Sequence, residues 1–225
     1  MMNNTNKIIL DLCGGTGSWS KPYKDAGYNV WNVTLPEWDI KRWFTGREFD
    51  IKPLEVYGIL AAPPCTMFSD ARTNAKSPRN LREGMGLVNR CLEIIQFYQY
   101  QVSSDQTKIS PLRFWALENP WYGRLKWFIG NPVFVFDPWE FGDQYKKKTA
   151  LWGYFNFPIK NYSKIGQVLT EEQIEKHKTN SQKLSKFDRL ATKDIHPEAY
   201  GKFDRQARRA ITPTGFAKAF YESNK

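Results

Sequence analysis

Two apolar runs joined through a glycine cluster and a short helical stretch most constrain the fold of this chain. Lys7-Ile8-Ile9-Leu10-Asp11-Leu12 has the near-continuous hydrophobicity of a buried strand. Cys13-Gly14-Gly15-Thr16-Gly17 follows as a glycine-rich turn. Ser18 is placed to cap a helix running through Tyr23 to Ala26, which Gly27 ends. Tyr28 to Thr34 then reads as a second strand. Val56 to Ala62 is another apolar run, and it stops at Pro63-Pro64-Cys65. Leu81, Met85, Val88, Leu92 and Ile95 recur at three- and four-residue steps, which makes one face of an amphipathic helix. Ser103-Ser104-Asp105-Gln106 breaks that pattern. Phe114 to Glu118, Val133 to Phe136 and Thr149 to Trp152 read as three more strands. Strands alternating with helices predict an α/β fold, its sheet mainly parallel and flanked by helices.

The 225 residues are enough for one sizeable core, and 41% apolar content favours folding over disorder. The formal charge of +10 points to a polyanionic partner, nucleic acid first. Cys13, Cys65 and Cys91 lie far apart in sequence, at no metal-ligand spacing and in odd number. That argues against a disulfide framework and against structural zinc. No metal is expected. His177 and His196 both sit among polar and charged residues, so histidine chemistry is not expected either. No apolar run is long enough to span a bilayer and no apolar signal core opens the chain, which predicts a soluble, intracellular protein. From about Lys160 to Arg209 the chain turns polar and basic, with a short helix starting at Thr170-Glu171-Glu172-Gln173. Thr212 to Tyr221 reads as a final helix begun near Pro213.

Three segments carry candidate chemistry. Prolines at 63 and 64 supply no amide hydrogens and stiffen the turn, so the Cys65 thiol is held firmly at the carboxyl end of a strand. Ligands of open α/β sheets bind at those ends. The alternative is a cysteine buried as a small hydrophobe. Glu118 and Asn119 end another strand and can reach the same cleft. A carboxyl in a partly apolar pocket has a raised pKa and can donate a proton; the alternative is a loop brace. Gln144-Tyr145-Lys146-Lys147-Lys148 enters a strand, where alternation puts Gln144, Lys146 and Lys148 on one face. That face suits a phosphate or a base carbonyl, unless the run is simply solvated. The glycine turn lacks dinucleotide spacing and serves equally as a tight structural turn.

In this order, the segments resemble those of the DNA cytosine-5 methyltransferases. Asp11 to Gly17 resembles the family's cofactor loop, with Cys13 where phenylalanine is usual. Ala62-Pro63-Pro64-Cys65-Thr66-Met67-Phe68-Ser69 is similar to its nucleophile motif. Leu117-Glu118-Asn119-Pro120 resembles the Glu-Asn-Val motif, and Gln144 to Lys148 the Gln-x-Arg-x-Arg motif, with lysines for both arginines. Ile211 to Phe220 resembles the last motif, whose helix packs beside the cofactor site.

The resemblance implies a Rossmann-like S-adenosylmethionine-dependent fold with a small basic arm. Residues 1–158 would form the catalytic core, 159–209 a reduced target-recognition region and 210–225 a helix returning to the core. It implies S-adenosylmethionine held by Asp11, Cys13, Gly14, Gly15, Thr16, Gly17, Trp19, Thr34, Leu35, Asp39, Ile40, Pro63 and Thr212. Catalysis would fall to Cys65, Glu118, Asn119, Lys146 and Lys148, with Lys146 or Lys148 lowering the thiol's pKa. Ser69, Gln144, Lys147, Arg205, Arg208 and Arg209 would contact DNA. Cys65 would add to carbon 6 of a cytosine taken out of the stack, while Glu118 holds a proton at ring N3.

The departures from the pattern carry consequences. The second strand lacks its usual ribose-binding acid, leaving Thr34 or Glu37 to serve. Lysine loses the bidentate fork of arginine. About sixty residues between Lys148 and Ile211 replace a sizeable recognition domain. A short or relaxed target site is expected, or a protein partner that supplies specificity. RNA as the substrate, and a relative that binds nucleic acid without turnover, are the competing readings. The compact size suits a virus or mobile element.

Overall fold

The computed structural model describes residues 4–44, 51, 55–70, 77–100, 112–171, 201–203 and 205–225. The six strands are β1 (Ile8–Leu12), β2 (Asn29–Val33), β3 (Val56–Ala61), β4 (Phe114–Pro120), β5 (Phe134–Phe136) and β6 (Thr149–Tyr154). They form one sheet in the order β2-β1-β3-β4-β6-β5. The β2–β1, β1–β3 and β3–β4 pairs are parallel. β6 runs antiparallel to both β4 and β5. A mixed α/β sheet flanked by helices thus replaces the mostly parallel pattern only at one edge. The described helices are α1 (Lys21–Asp25), α2 (Leu81–Gln99), α3 (Lys126–Ile129), α4 (Arg205–Ala210) and α5 (Thr214–Ser223).

Alternation along β1 sends side chains to both faces of the sheet. Ile8, Leu10 and Leu12 pack with Ile59, Val88, Ile94 and Ile95 under α2. Ile9 packs on the other face with Tyr23 of α1 and Phe216 and Phe220 of α5. Both faces are covered, as a parallel sheet requires. Helix α2 begins at Asn80, whose side chain accepts from the Glu83 amide at 3.1 Å. Its buried stripe is Gly84, Val88, Cys91, Ile94, Ile95 and Tyr98, with Leu81, Met85 and Leu92 at its margin. The buried face is therefore centred a few tens of degrees away from the one predicted.

Two local expectations are corrected. Helix α1 is capped from Ser20 rather than Ser18, and the Ser20 hydroxyl donates to Asp11 Oδ2 at 2.5 Å. The Ser18 hydroxyl instead accepts from the Thr212 amide at 2.7 Å. The lysine run also lies outside any strand, because β6 starts at Thr149. The Ser103–Gln106 break and both histidines lie outside the described residues, as does the Thr170–Gln173 helix start beyond Glu171. No helix among the described residues is long and apolar enough to cross a membrane. No cluster of three metal-ligating side chains occurs among them.

Gly84 lets α2 approach the turn after β3. A Cβ there would lie 2.9 Å from Met67 Cβ and 3.1 Å from Phe68 Cζ. Alanine normally stabilises a helix by about 1 kcal/mol over glycine. Overpacking costs about 1–3 kcal/mol, and here it wins. Gly84→Ala should therefore lower the urea midpoint. Gly86→Ala, which meets no atom within 4 Å, should raise it.

Candidate active site

The turns that follow β1, β3 and β4 lie together at the carboxyl edge of the sheet. Strand order reverses between β1 and β3, which is where α/β sheets bind ligands. Pro63 is buried and Cys65 half-exposed. Cys65 opens a single 3-10 turn, and its carbonyl accepts from the amides of Phe68 and Ser69, both at 2.9 Å. Arg79 Nη1 holds the Met67 carbonyl at 3.0 Å. The thiol thus sits on a backbone fixed from within and from α2.

Asn119 is fully buried, and its Nδ2 donates to the Pro63 carbonyl at 3.1 Å. One hydrogen bond ties the end of β4 to the turn bearing Cys65. Asn119 Oδ1 has no hydrogen-bond partner in the protein. Glu118 precedes it, and burial pushes its carboxyl above the ordinary range while the Lys147 charge pulls it back. The antiparallel register sets Pro120 against Thr149. That delivers the lysine run to the end of β4.

The three lysines then take different places. Lys147 Nζ donates to the Ile211 carbonyl at 3.1 Å and is the cation acting on Glu118. The charges of Lys148 and Lys146 act on Asp137, and Lys148 Nζ lies 5.9 Å from the Trp121 ring centre. Lys146 and Lys148 are thus set toward Asp137. Lys147, assigned to nucleic acid, is the lysine beside the carboxyl. Gln144 does not share a face with them. Its Nε2 donates to the Val168 carbonyl at 2.9 Å and braces the start of the basic stretch. Ser69 is 8% exposed and bridges Gly123 through the backbone, which braces the loop after the Cys65 turn. Arg208 is half-buried in α4, and the side chains of Arg205 and Arg209 lie outside the described residues.

The glycine turn is built over two acceptors. Cys13, Gly15 and Gly17 all take left-handed backbone. A Cβ on Gly14 would land against the Asp11 carboxylate and 2.5 Å from Asn32 Oδ1, so only glycine lets the backbone come this close. Asn32 Nδ2 holds the Gly15 carbonyl at 3.0 Å. Asp11 Oδ1 and Asn32 Oδ1 are buried without a hydrogen-bond partner among the described residues. Asn32 escaped sequence reasoning, and its one signal was a polar residue inside an apolar strand.

Around this turn, Thr16 is exposed, and Thr34 lies half-buried at the end of β2. Leu35 is 70% exposed. Asp39 caps a single 3-10 turn, accepting from the Lys41 amide at 3.0 Å. Ile40 and Trp19 are 4% and 1% exposed. Both side chains pack in the core, and Trp19 Nε1 is buried without a hydrogen-bond partner among the described residues. The Trp19 ring packs 5.9 Å from Phe216 and 5.4 Å from Phe220, beneath the turn. Thr212 reaches the turn by its backbone alone, through Ser18. Cys13 and Cys91, distant in sequence, come together. A hydrogen bond from the Cys91 thiol to Cys13, together with burial, pushes the Cys91 pKa up.

Over 166 residues the chain is 31% identical to a probable DNA (cytosine-5)-methyltransferase of frog virus 3 (isolate Goorha). The match covers 64% of this chain and 69% of that protein. The chain belongs to the DNA (cytosine-5)-methyltransferase family. No protein-family model matches it. Methyltransferases of this family use S-adenosylmethionine, whose ammonium group supplies donors. Two unsatisfied acceptors under a close-fitting glycine turn suit such a group.

Burial raises the Asp11 carboxyl from 3.8 to about 6, against the opposing Ser20 hydrogen bond. A raised folded-state pKa contributes stability below the unfolded value and loses it as pH rises through the folded one. Wild-type stability should therefore fall between about pH 4 and pH 6.5, by on the order of 3 kcal/mol from this carboxyl. Asp11→Asn should flatten that part of the profile in urea titrations run at successive pH values.

Proposed function

We propose that this chain transfers a methyl group from S-adenosylmethionine to carbon 5 of cytosine in DNA, through a covalent adduct at Cys65. The observation that carries this reading is the meeting of the Cys65 turn with Glu118 at one sheet edge, locked by Asn119 on Pro63. DNA as the substrate follows the name of the frog virus relative and the net charge of +10.

S-adenosylmethionine, when bound, supplies an electrophilic methyl group. Asp11, Asn32 and the Gly14–Gly17 turn would hold it, with Asp39 at the β2 side and the Thr212 backbone closing the turn. Cys65 Sγ adds to carbon 6 of a cytosine displaced from the stack. Glu118, its pKa raised by burial, is placed to hold a proton at ring N3 and drain charge from the ring as the thiolate adds. Carbon 5 thereby becomes nucleophilic. Loss of the carbon-5 proton and expulsion of Cys65 complete turnover. Asn119 fixes the distance between nucleophile and acid. Lys147 tunes the acid and pins Ile211.

The sheet is read as a Rossmann-like methyltransferase core over residues 1–158, with 210–225 returning to it. Residues 159–209 are read as a reduced recognition region. Phosphate contacts position while base contacts specify. So short and basic a segment should leave the target site short or relaxed.

Cys65→Ser should abolish transfer of labelled methyl to DNA while cofactor affinity stays within about twofold, because the thiolate is the nucleophile and lies outside the cofactor turn. Label that persists in Cys65→Ser ends the covalent mechanism. Label that appears on transfer RNA and not on DNA ends the substrate reading. The role of Lys147 is tested by pH–rate profiles. Lys147→Met removes the charge that lowers the Glu118 pKa, so the alkaline limb should move to higher pH. Lys146→Met should leave the limb in place.

A further inference from the structure

Beside the nucleophile turn lies a surface that the proposed mechanism does not use. Residues 121–128 leave β4 and expose large rings, Tyr122 at 64%, Trp127 at 68% and Phe128 at 47%. Cations are interleaved with them. Arg124 Cζ lies 5.5 Å from the Trp127 ring centre, and Lys126 Nζ lies 4.2 Å from that of Trp121. Lys148 approaches the same Trp121 ring. Asp70 lies 3.4 Å from Arg124 Nε, and the charge of Lys148 also acts on Asp137.

This surface is fastened to the turn bearing Cys65. The Asp70 amide donates to the Tyr122 carbonyl at 3.1 Å, and the Arg124 amide to the Phe68 carbonyl at 3.1 Å. Gly123 bridges Ser69, and the Phe68 and Phe128 rings lie 6.3 Å apart. A strand entering the Cys65 site would cross these residues next.

Clustered exposed rings mark an interaction site. Charge selects the partner. Arg124, Lys126 and Lys148 outnumber the described carboxylates beside them, Asp70 and Asp137, which disfavours a second copy of this chain, because an isologous contact would set like charges against each other. Exposed rings flanking a pair of cations offer stacking faces beside phosphate-binding charge, which suits a single nucleic-acid strand.

We propose that Tyr122 and Trp127 stack on unpaired bases flanking the target cytosine, while Arg124 and Lys126 hold the adjoining phosphates. The proposal rests on the reading that Cys65 acts on a nucleic acid, and it names the form that substrate takes. Single-stranded DNA, or a duplex mismatched around the cytosine, binds tighter than the fully paired duplex.

The test is fluorescence anisotropy with labelled 20-mer DNA, single-stranded and paired, on the full chain and its variants. Cofactor affinity and sedimentation serve as controls for folding and self-association. Trp127→Ala and Tyr122→Ala should each weaken single-strand binding about 5- to 150-fold, and Trp127→Phe should retain most of it. Trp127→Ala should leave the slope of log Kd against log salt unchanged, while Lys126→Ala should reduce it by about one. Wild-type affinity in both alanine variants overturns the proposal. So does a loss of affinity that accompanies a change of oligomeric state. Aromatic-dependent binding without methyl transfer by the wild type would instead count against the catalytic reading alone. Methyl transfer with unchanged KM in the aromatic variants would count against the stacking surface alone.

Discussion

The buried hydrogen bond from Asn119 Nδ2 to the Pro63 carbonyl holds the candidate site together. Two consecutive prolines leave the turn after β3 with no amide of its own to pair at positions 63 and 64. Its carbonyls must therefore find donors elsewhere, and a buried carbonyl left unpaired costs about 1–3 kcal/mol. Asn119 supplies the donor from the neighbouring strand, so the geometry between Cys65 and Glu118 follows from strand pairing rather than from loop conformation. Parallel pairing of β3 with β4 sets Ala61 against Leu117. The turn and the acid then extend from matched positions. Gly84 and Arg79 press the turn from the other side.

Burial has a second effect, on charge. Asp11, Glu118, Asp137 and Asp143 all have raised pKa values, each with desolvation as the largest cause. Their compensation differs. Asp143 caps α5, accepting from Gly215 at 3.0 Å, and so holds the last helix to the segment before the lysine run. Asp137 receives the Lys147 amide and the charges of Lys148 and Lys146. Asp11 has the hydroxyl and the amide of Ser20 and one oxygen without a partner among the described residues. Glu118 has one opposing charge. The two carboxyls with least internal compensation are the two at the proposed cofactor and base positions, where a ligand would complete them.

Local pattern carried much of this into the sequence. β1, the glycine turn, β2 and β3 were legible because continuous apolar runs and punctuating Gly and Pro report short-range rules. Cys65 and Glu118 were legible because each terminates such a run. The lysines were not, since alternation applies only inside a strand, and β6 begins one residue too late to include them. Which lysine faces Glu118 depends on the antiparallel register with β4, a long-range property. The depth at which Trp19 and Ile40 lie was not legible for a related reason. Adjacency to a ligand turn does not say on which side of it a side chain lies, and α5 returning from the far end of the chain takes the Trp19 ring into the core. Asn32 was missed because its importance comes from lying opposite Asp11 in the β1–β2 register.

The same antiparallel register places Lys147, which lies between the two family arginine positions at 146 and 148, beside Glu118. Lys147 donates to the Ile211 carbonyl and its charge acts on Glu118, two roles that an ammonium on a flexible stem can fill. Because its ammonium binds the residue that precedes Thr212, Lys147 links the acid at the end of β4 to the segment that closes the glycine turn through Ser18. The proposed base and cofactor halves of the site are therefore joined through a single side chain, and displacement of that ammonium would disturb both.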